Sequence, residues 1–131
     1  MVKILITLNL SDMKKTLVIG ASLNPERYSN IAVKRLKKYG HEIIAIGLRE
    51  GEIDGVVIHT DHPEIDDVDT VTLYVNPTNQ AAIKDYILSL KPVRVIFNPG
   101  TENEKFKNQL VENGIETDEA CTLTLLATGQ Y

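Results

Sequence analysis

The chain has few of the residues that mark a specialised chemistry or a special environment. It contains one cysteine, no tryptophan, two phenylalanines and five tyrosines. A single cysteine can form no internal disulfide, which favours a reducing compartment, and we expect a cytoplasmic protein. No apolar run approaches the ~20 residues that a membrane-spanning helix needs. The net charge of −4 gives no basic surface, so we expect neither a nucleic-acid partner nor a membrane partner.

The length of 131 residues suits one α/β domain and is too short for two. We assign residues 15–131 to that domain and residues 1–14 to an N-terminal leader or extra strand. The apolar stretch Met1–Leu10 is short and has no cleavage site after it, which argues against a signal peptide. Two alternatives stay open: an arm used in self-association, or a leader before a natural start at Met13.

Short apolar runs rich in valine and isoleucine recur along the chain and predict buried strands. They show no strict alternation of apolar and polar residues, which is typical of parallel strands covered on both faces. The five runs are Leu17–Ile19, Ile43–Ile46, Val56–Ile58, Val71–Val75 and Val93–Phe97. A sixth short strand is predicted at Ile115–Thr117.

Helical patterns lie between these strands, at Ser29–Tyr39, Asn79–Leu90, Glu102–Asn113 and Glu119–Thr128. The sequence Thr101–Glu104 reads as a capping box that begins the third of them. We predict a loop at Gly47–Glu52, an edge position for the short third strand, and an acidic connection at His59–Asp69 that crosses the sheet.

Alternating strands and helices predict the fold class: a single α/β, Rossmann-like, doubly wound and mainly parallel sheet with helices on both faces. Numbered along the chain, the first five strands are expected in the order 3-2-1-4-5. Ligands of such sheets bind beyond the carboxyl ends of the strands, at the switch between the first and fourth strands.

The end of the first strand carries the most informative motif, Gly20-Ala21-Ser22 before a helix. A strand, a glycine turn and a helix N-terminus form a phosphate site, because backbone N–H groups and the helix dipole both favour an anion. The dinucleotide fingerprint G-x-G-x-x-G is absent, since Ser22 and Pro25 replace its second and third glycines.

The end of the second strand argues against NAD. An NAD site places an acidic residue there to hold the ribose hydroxyls, whereas this chain has Gly47-Leu48-Arg49. Arg49 could hold a ribose phosphate, which fits NADP or the 3′-phosphate of coenzyme A better than NAD.

Three motifs, in order and with matching spacing, resemble the small stand-alone CoA-binding domain proteins, which are similar to the CoA-binding domain of the succinyl-CoA synthetase alpha subunit. They are Gly20–Ser29, Val75-Asn76-Pro77 and Phe97–Asn103, followed by Glu119–Leu123. The resemblance covers about Lys15 to Tyr131 and implies a Rossmann-like fold with coenzyme A as its ligand. Family members often have Asn-Pro after the second strand, where this chain has Gly47-Leu48.

The resemblance also implies roles for the residues at the strand ends. The pyrophosphate would lie at Gly20, Ala21 and Ser22, and the adenosine 3′-phosphate near Arg49. Arg27 would form an ion pair with a phosphate, and the ring of Tyr28 would cover the outer face of the ligand. The adenine or pantetheine side would be lined by Asn76 and Pro77, and the pantetheine arm by Asn98, Pro99 and Gly100.

Two other features have simpler explanations than a site. His59, Asp61 and His62 look like part of a metal site, but only His41 is left elsewhere, and a structural site usually needs four ligands. We expect a solvated edge loop there and no metal. Cys121 is predicted to be a buried residue of the last helix, with a redox partnership with the CoA thiol as the alternative.

We therefore predict a binding protein that holds coenzyme A or a short acyl-CoA without transforming it, as a carrier, a sensor or a partner module. No base pairs with a nucleophile in the sequence, and no catalytic residue is assigned. One alternative is an NADP-dependent oxidoreductase or a subunit of one. Another is a regulatory module that dimerises through Met1–Leu10 or the last helix. A homodimer or a larger enzyme partner remains open.

Overall fold

A computed structural model describes residues 13–131, so the predicted leader, residues 1–14, lies outside the described residues except for its last two. Residues 13–131 form seven strands, four α-helices and one 3-10 helix. In order these are β1 (Thr16–Ala21), α1 (Tyr28–Lys38), β2 (Ile43–Gly47), β3 (Gly51–Ile53), β4 (Val56–His59), β5 (Thr70–Leu73), the 3-10 helix (Pro77–Ala82), α2 (Lys84–Leu90), β6 (Arg94–Phe97), α3 (Glu104–Glu112), β7 (Glu116–Glu119) and α4 (Thr122–Ala127).

These seven strands belong to one sheet in the order β3-β4-β2-β1-β5-β6-β7. Every neighbouring pair is parallel except β3 and β4, which are antiparallel. The first five predicted strands, taken along the chain, are β1, β2, β4, β5 and β6. In the sheet they lie in the order β4-β2-β1-β5-β6, so the expected order 3-2-1-4-5 is confirmed. The prediction of a Rossmann-like α/β fold is confirmed as well.

Two hydrophobic cores cover the two faces of the sheet, which explains why the strand sequences do not alternate. Leu17 and Ile19 of β1 pack into one core, which is completed by residues of α2 and α3. Val18, the residue between them, packs into the other core with residues of α1 and α4. Strands buried on both faces need apolar residues at successive positions.

The segment Gly47–Glu52, predicted to be a loop, contains the start of a strand, and this prediction is wrong. Gly51–Ile53 forms β3 and pairs with β4, with Glu52 opposite Val57. The two residues between the strands, Asp54 and Gly55, both have positive φ (48° and 86°), as a tight hairpin turn requires. The edge strand on this side of the sheet is therefore β3, and the prediction that β4 is an edge strand is also wrong.

Several helix boundaries differ from those predicted. The predicted helix at Asn79–Leu90 is divided into the 3-10 helix and α2. The capping box at Thr101–Glu104 is wrong, because α3 begins at Glu104 and the Asn103 side chain caps it by accepting from the N–H of Phe106 (3.1 Å). The last helix begins at Thr122, since Glu119 is still in β7 opposite Phe97.

Candidate functional site

The carboxyl ends of the five central parallel strands and of β7 meet at one edge of the sheet, here called the carboxyl edge. The sheet order brings together there every segment that the sequence analysis assigned to a site. These segments are Gly20–Ser22 at the end of β1, Arg27 and Tyr28 at the start of α1, Gly47–Arg49 at the end of β2, Asn76 and Pro77 after β5, and Asn98–Gly100 after β6.

Glycines at the ends of β1 and β2 allow the backbones of three strands to approach one another. Gly20 has φ of 95°, and a Cβ atom there would lie 3.0 Å from the carbonyl carbon and oxygen of Tyr74. A Cβ atom on Gly47 would clash with the carbonyl oxygen of Ala21. The two glycines are therefore required by the close packing of the end of β1 against β2 and against the residue that follows β5.

The loop between β1 and α1 is held by its own polar side chains. Ser22 Oγ accepts a hydrogen bond from the N–H of Asn24 (3.1 Å), and Asn24 Oδ1 accepts one from the N–H of Glu26 (3.0 Å). Asn30, which is 3% exposed, donates from Nδ2 to the carbonyl oxygen of Ser22 (2.8 Å). This last bond fixes the glycine turn against the first turn of α1.

The N-terminus of α1 has the features of an anion site. It begins an 11-residue helix whose N-cap residue, Arg27, makes no side-chain capping bond, and its first turn contains no acidic residue. Backbone N–H groups at such an end, together with the helix dipole, favour a negative charge. The side chains of Arg27 and Tyr28 are both exposed beside it, Tyr28 to 71%.

Asn98 is buried, and its amide joins three elements. Nδ2 donates to Thr72 Oγ1 (2.7 Å) and to the carbonyl oxygen of Leu73 (2.9 Å), and Oδ1 accepts from the N–H of Thr122 (2.9 Å). The side chain is therefore committed to linking β5, β6 and α4, while its neighbours Pro99 and Gly100 are exposed.

Gln80 is a positioning residue that the sequence analysis missed. It is 1% exposed, and Nε2 donates to the carbonyl oxygens of Val75 (2.8 Å) and Thr101 (2.7 Å). Its Oε1 accepts from Nδ2 of Asn103 (2.9 Å). Gln80 thus ties the loop after β5, where Asn76 and Pro77 are exposed, to the loop after β6. Its spacing of three and seven residues from Ile83 and Ile87 was the signal that it faces inward.

Tyr74 and Cys121 lie next to the ends of β5 and β7. Burial raises the pKa of Tyr74 to about 12. The nearby Thr72 and Thr122 hydroxyls lower it slightly, but they are bonded to each other (2.8 Å), and the Tyr74 hydroxyl has no hydrogen-bond partner among residues 13–131.

Cys121 is half-buried and precedes α4, so its predicted place inside a helix is wrong. Burial raises the pKa of its thiol. The Thr124 side chain and the N–H groups of Thr124 and Leu123 outweigh that effect, although none makes a capping hydrogen bond, and the pKa is lowered.

Arg49 is exposed and follows Leu48, which is 99% exposed. Beside them a cleft of about 610 Å³ opens at the end of β4, and His59 and Asp61 are among the residues that line it. These two side chains approach to 4.0 Å. In the described part of the chain no group of three or more His, Cys, Asp or Glu residues could hold a metal ion. None of the helices between residues 13 and 131 is long and apolar enough to span a membrane.

Solved structures place the fold among known proteins. A crystal structure of an uncharacterized protein is 54% identical, covers 91% of this chain and 98% of its own, and has a TM-score of 0.89. A conserved hypothetical protein from Pyrococcus furiosus is 27% identical over 81% of this chain and 92% of its own, with a TM-score of 0.72.

A larger enzyme shares the fold alone. The dinucleotide-forming acetyl-coenzyme A synthetase 1 of Candidatus Korarchaeum cryptofilum is 16% identical, with a TM-score of 0.65. The match covers 82% of this chain but only 26% of the synthetase. A comparison with curated proteins gives no match.

The model of the CoA binding domain family matches residues 14–127. That range includes the strands and helices described above and the segments of the carboxyl edge. The chain therefore belongs to the CoA binding domain family.

Proposed function

We propose that the protein binds coenzyme A, or a short acyl-CoA, at the carboxyl edge of the sheet. The observation that carries this proposal is the uncapped, acid-free N-terminus of α1, whose first turn is held beside the Gly20 turn by the hydrogen bond from Asn30 to Ser22. Membership of the CoA binding domain family supports the choice of ligand. A pyrophosphate is the group that such a helix end and glycine turn bind best.

The residues along the edge give the ligand an orientation. The pyrophosphate lies at Gly20, Ala21 and Ser22, with Arg27 as its ion-pair partner and Tyr28 covering it. The adenosine 3′-phosphate lies near Arg49. The pantetheine arm runs past the residues that follow β5 and β6, which are Asn76, Pro77, Pro99 and Gly100. Asn98 acts indirectly, because its amide fixes the strand ends instead of contacting the ligand.

The protein holds this ligand without transforming it and serves as a carrier, a sensor or a partner of a larger enzyme. Coenzyme A is a group carrier, so its chemistry needs an acceptor site that another protein can supply. The one thiol near the edge, Cys121, has no basic side chain among the groups that shift its pKa. A thiol acting as a nucleophile is usually activated by such a base.

One observation favours a second candidate, an NADP-dependent oxidoreductase or a subunit of one. Arg49 is exposed at the end of β2, where an NAD site would have a carboxylate. The same arginine would bind the 2′-phosphate of NADP. The two candidates differ in ligand and are separated by the experiment that follows.

Thermal unfolding with CoA, dephospho-CoA, acetyl-CoA, NAD and NADPH, each at about 1 mM, tests the proposal. A ligand that binds only the folded state stabilises it by about 2.7 kcal/mol at a hundredfold excess over Kd. We expect CoA and acetyl-CoA to raise Tm and dephospho-CoA to raise it less. A rise with NADPH alone would support the oxidoreductase, and no rise with any CoA compound would contradict the proposal.

Three arginine variants then test the orientation of the ligand. We expect Arg49→Ala to remove the difference between CoA and dephospho-CoA, and Arg27→Ala to weaken both, each by about two- to fivefold in Kd because the ion pairs are exposed. Arg35→Ala is the matched control, since Arg35 is exposed in the last turn of α1, far from its N-terminus. Equal losses in all three variants would contradict the assigned roles.

A further inference from the structure

The opposite edge of the sheet carries a second polar cluster, here called the amino-edge cluster, which consists of Lys14, Thr16, His41, Arg94 and Tyr131. The N–H of Lys14 donates to Nδ1 of His41 (2.9 Å). The His41 and Tyr131 rings lie 4.9 Å apart, and the Arg94 guanidinium lies 4.6 Å from the centre of the Tyr131 ring. The hydroxyls of Tyr131 and Thr16 are bonded at 2.6 Å.

This cluster joins parts of the chain that are far apart in sequence. Lys14 precedes β1, Thr16 begins β1, His41 precedes β2, Arg94 begins β6 and Tyr131 follows α4. Buried contacts of Tyr131 therefore hold the segment after α4 against the first strand. The segment lies outside the helices and strands, so it can detach without breaking a strand pairing.

The hydrogen bond from Lys14 fixes the protonation state of His41. A backbone N–H can only donate, so Nδ1 must carry a lone pair and the ring proton must be on Nε2. Protonation places a second proton on Nδ1, directly facing the N–H of Lys14. The bond is then lost, and two N–H groups are left facing each other.

Charged groups around His41 act in both directions. Burial, the Lys14 side chain and Arg94 disfavour the imidazolium, while the carboxylate of Asp69 favours it. The carboxylate of Asp69 is hydrogen-bonded to another residue, because its Oδ1 accepts from Thr70 Oγ1 (2.7 Å). Thr70 Oγ1 in turn accepts from the Arg94 guanidinium. The net effect is a pKa of His41 below its ordinary value of 6.5. Tyr131 remains neutral at such pH values, since burial raises its pKa.

We propose that His41 is a pH-operated latch: when neutral it accepts a hydrogen bond from the backbone of Lys14 beside the Tyr131 ring at the amino edge, and when protonated it releases Lys14. The ligand proposed for this device is the proton. The latch lies at the edge opposite the nucleotide site and does not depend on what that site binds.

The latch can be tested by NMR on the whole chain between about pH 7.5 and pH 5. We expect the imidazole of His41 to titrate below 6.5. We also expect the exchange protection of the Lys14 amide, corrected for its intrinsic pH dependence, to fall by up to about tenfold per pH unit below 6.5, because the open state takes up one proton. The Tyr131 ring signals should shift over the same range.

Two variants separate the latch from general acid sensitivity. In His41→Asn the side-chain oxygen can still accept from Lys14 but cannot titrate, so protection of Lys14 should not depend on pH. His62→Asn is the matched control, because His62 stacks on Tyr86 (4.7 Å) away from the amino edge, and it should retain the wild-type pH dependence.

Unchanged Lys14 protection across this range in the wild type would overturn the latch. So would the same pH dependence in His41→Asn. If that variant does not fold, the wild-type titrations of His41, Lys14 and Tyr131 decide alone, and midpoints that differ among the three signals contradict a single latch.

Discussion

Single buried amide side chains hold the carboxyl edge together without lining it. Asn98 satisfies one backbone donor and one backbone acceptor from different elements. Gln80 satisfies two backbone acceptors, the carbonyl oxygens of Val75 and Thr101, and so joins the loops after β5 and β6. The exposed residues beside them are therefore presented by a rigid frame, which is what a preorganised site needs.

We expect Asn98→Ala to lower the free energy of unfolding by about 2–3 kcal/mol. The reason is that it leaves the N–H of Thr122 and the carbonyl of Leu73 buried without this partner. Chemical denaturation measures the loss. Asn108→Ala, at an exposed position of α3, is the control and should stay within about 0.5 kcal/mol of the wild type. Equal stabilities of the two variants would contradict the structural role of Asn98.

Tyr74 should make the protein sensitive to alkali. Its pKa is raised to about 12 in the folded state against 10.0 in the unfolded chain, so its contribution to stability is complete below pH 10 and is lost between pH 10 and about 12. We expect Tyr74→Phe to lose less stability than the wild type over that range. At pH 7 it should be at least as stable, because the hydroxyl has no partner among the described residues.

Denaturant unfolding at several pH values measures this difference. Tyr39→Phe is the matched control, because the Tyr39 side chain is 47% exposed, and it should follow the wild-type alkaline slope. A Tyr74→Phe variant that is less stable at pH 7 would show that the hydroxyl has a hydrogen-bond partner in solution. The same alkaline slope as the wild type would show that the pKa of Tyr74 is not raised by folding.

Strands and helices could be predicted from the sequence where the burial of their side chains alone determines the pattern of apolar residues. The Val- and Ile-rich runs of β1, β2, β5 and β6 reflect cover on both faces, and this gave the strand order and hence the edge where the site segments meet. β3 escaped notice because it has three residues, of which only Ile53 is buried, although Asp54-Gly55 is a hairpin signal. The capping box failed because Thr101 Oγ1 donates to the carbonyl of Asn98 (2.8 Å) instead.

The contact between β1 and β2 depends on a glycine. Gly47→Ala places a methyl group against the carbonyl oxygen of Ala21, and 3.0 Å from a methyl carbon of Ile58, so the strand ends must separate. We expect a loss of about 1–3 kcal/mol, as in other overpacked sites, together with weaker binding of CoA. Chemical denaturation and a CoA titration measure the two effects.

Gly114→Ala provides the control for Gly47→Ala. Gly114 has φ of 77° and open space where the Cβ would lie, so the cost is the backbone strain alone, about 1 kcal/mol. CoA binding by this variant should be unchanged. If Gly47→Ala binds CoA as tightly as Gly114→Ala does, the close approach of β1 and β2 is irrelevant to the site.

At the scale of the whole molecule, the carboxyl edge and the amino edge of the sheet are formed by different kinds of contact. The carboxyl edge collects segments whose types are visible in the sequence, namely glycine turns, Asn-Pro pairs and helix starts. The amino edge is organised by contacts such as that between Thr16 and Tyr131, which are 115 residues apart. A pattern read along the chain cannot show such a contact, since it depends on how the helices return over the sheet.

The measurement that tests the account most directly is a stepwise NMR titration of the labelled protein with CoA. Binding at the carboxyl edge predicts saturable shifts of the backbone amides of residues 20–22, 27–28, 49, 98 and 100, and none at Lys14, His41 or Arg94. Shifts confined to the amino edge, or no saturable shift at millimolar CoA, would contradict binding at the carboxyl edge.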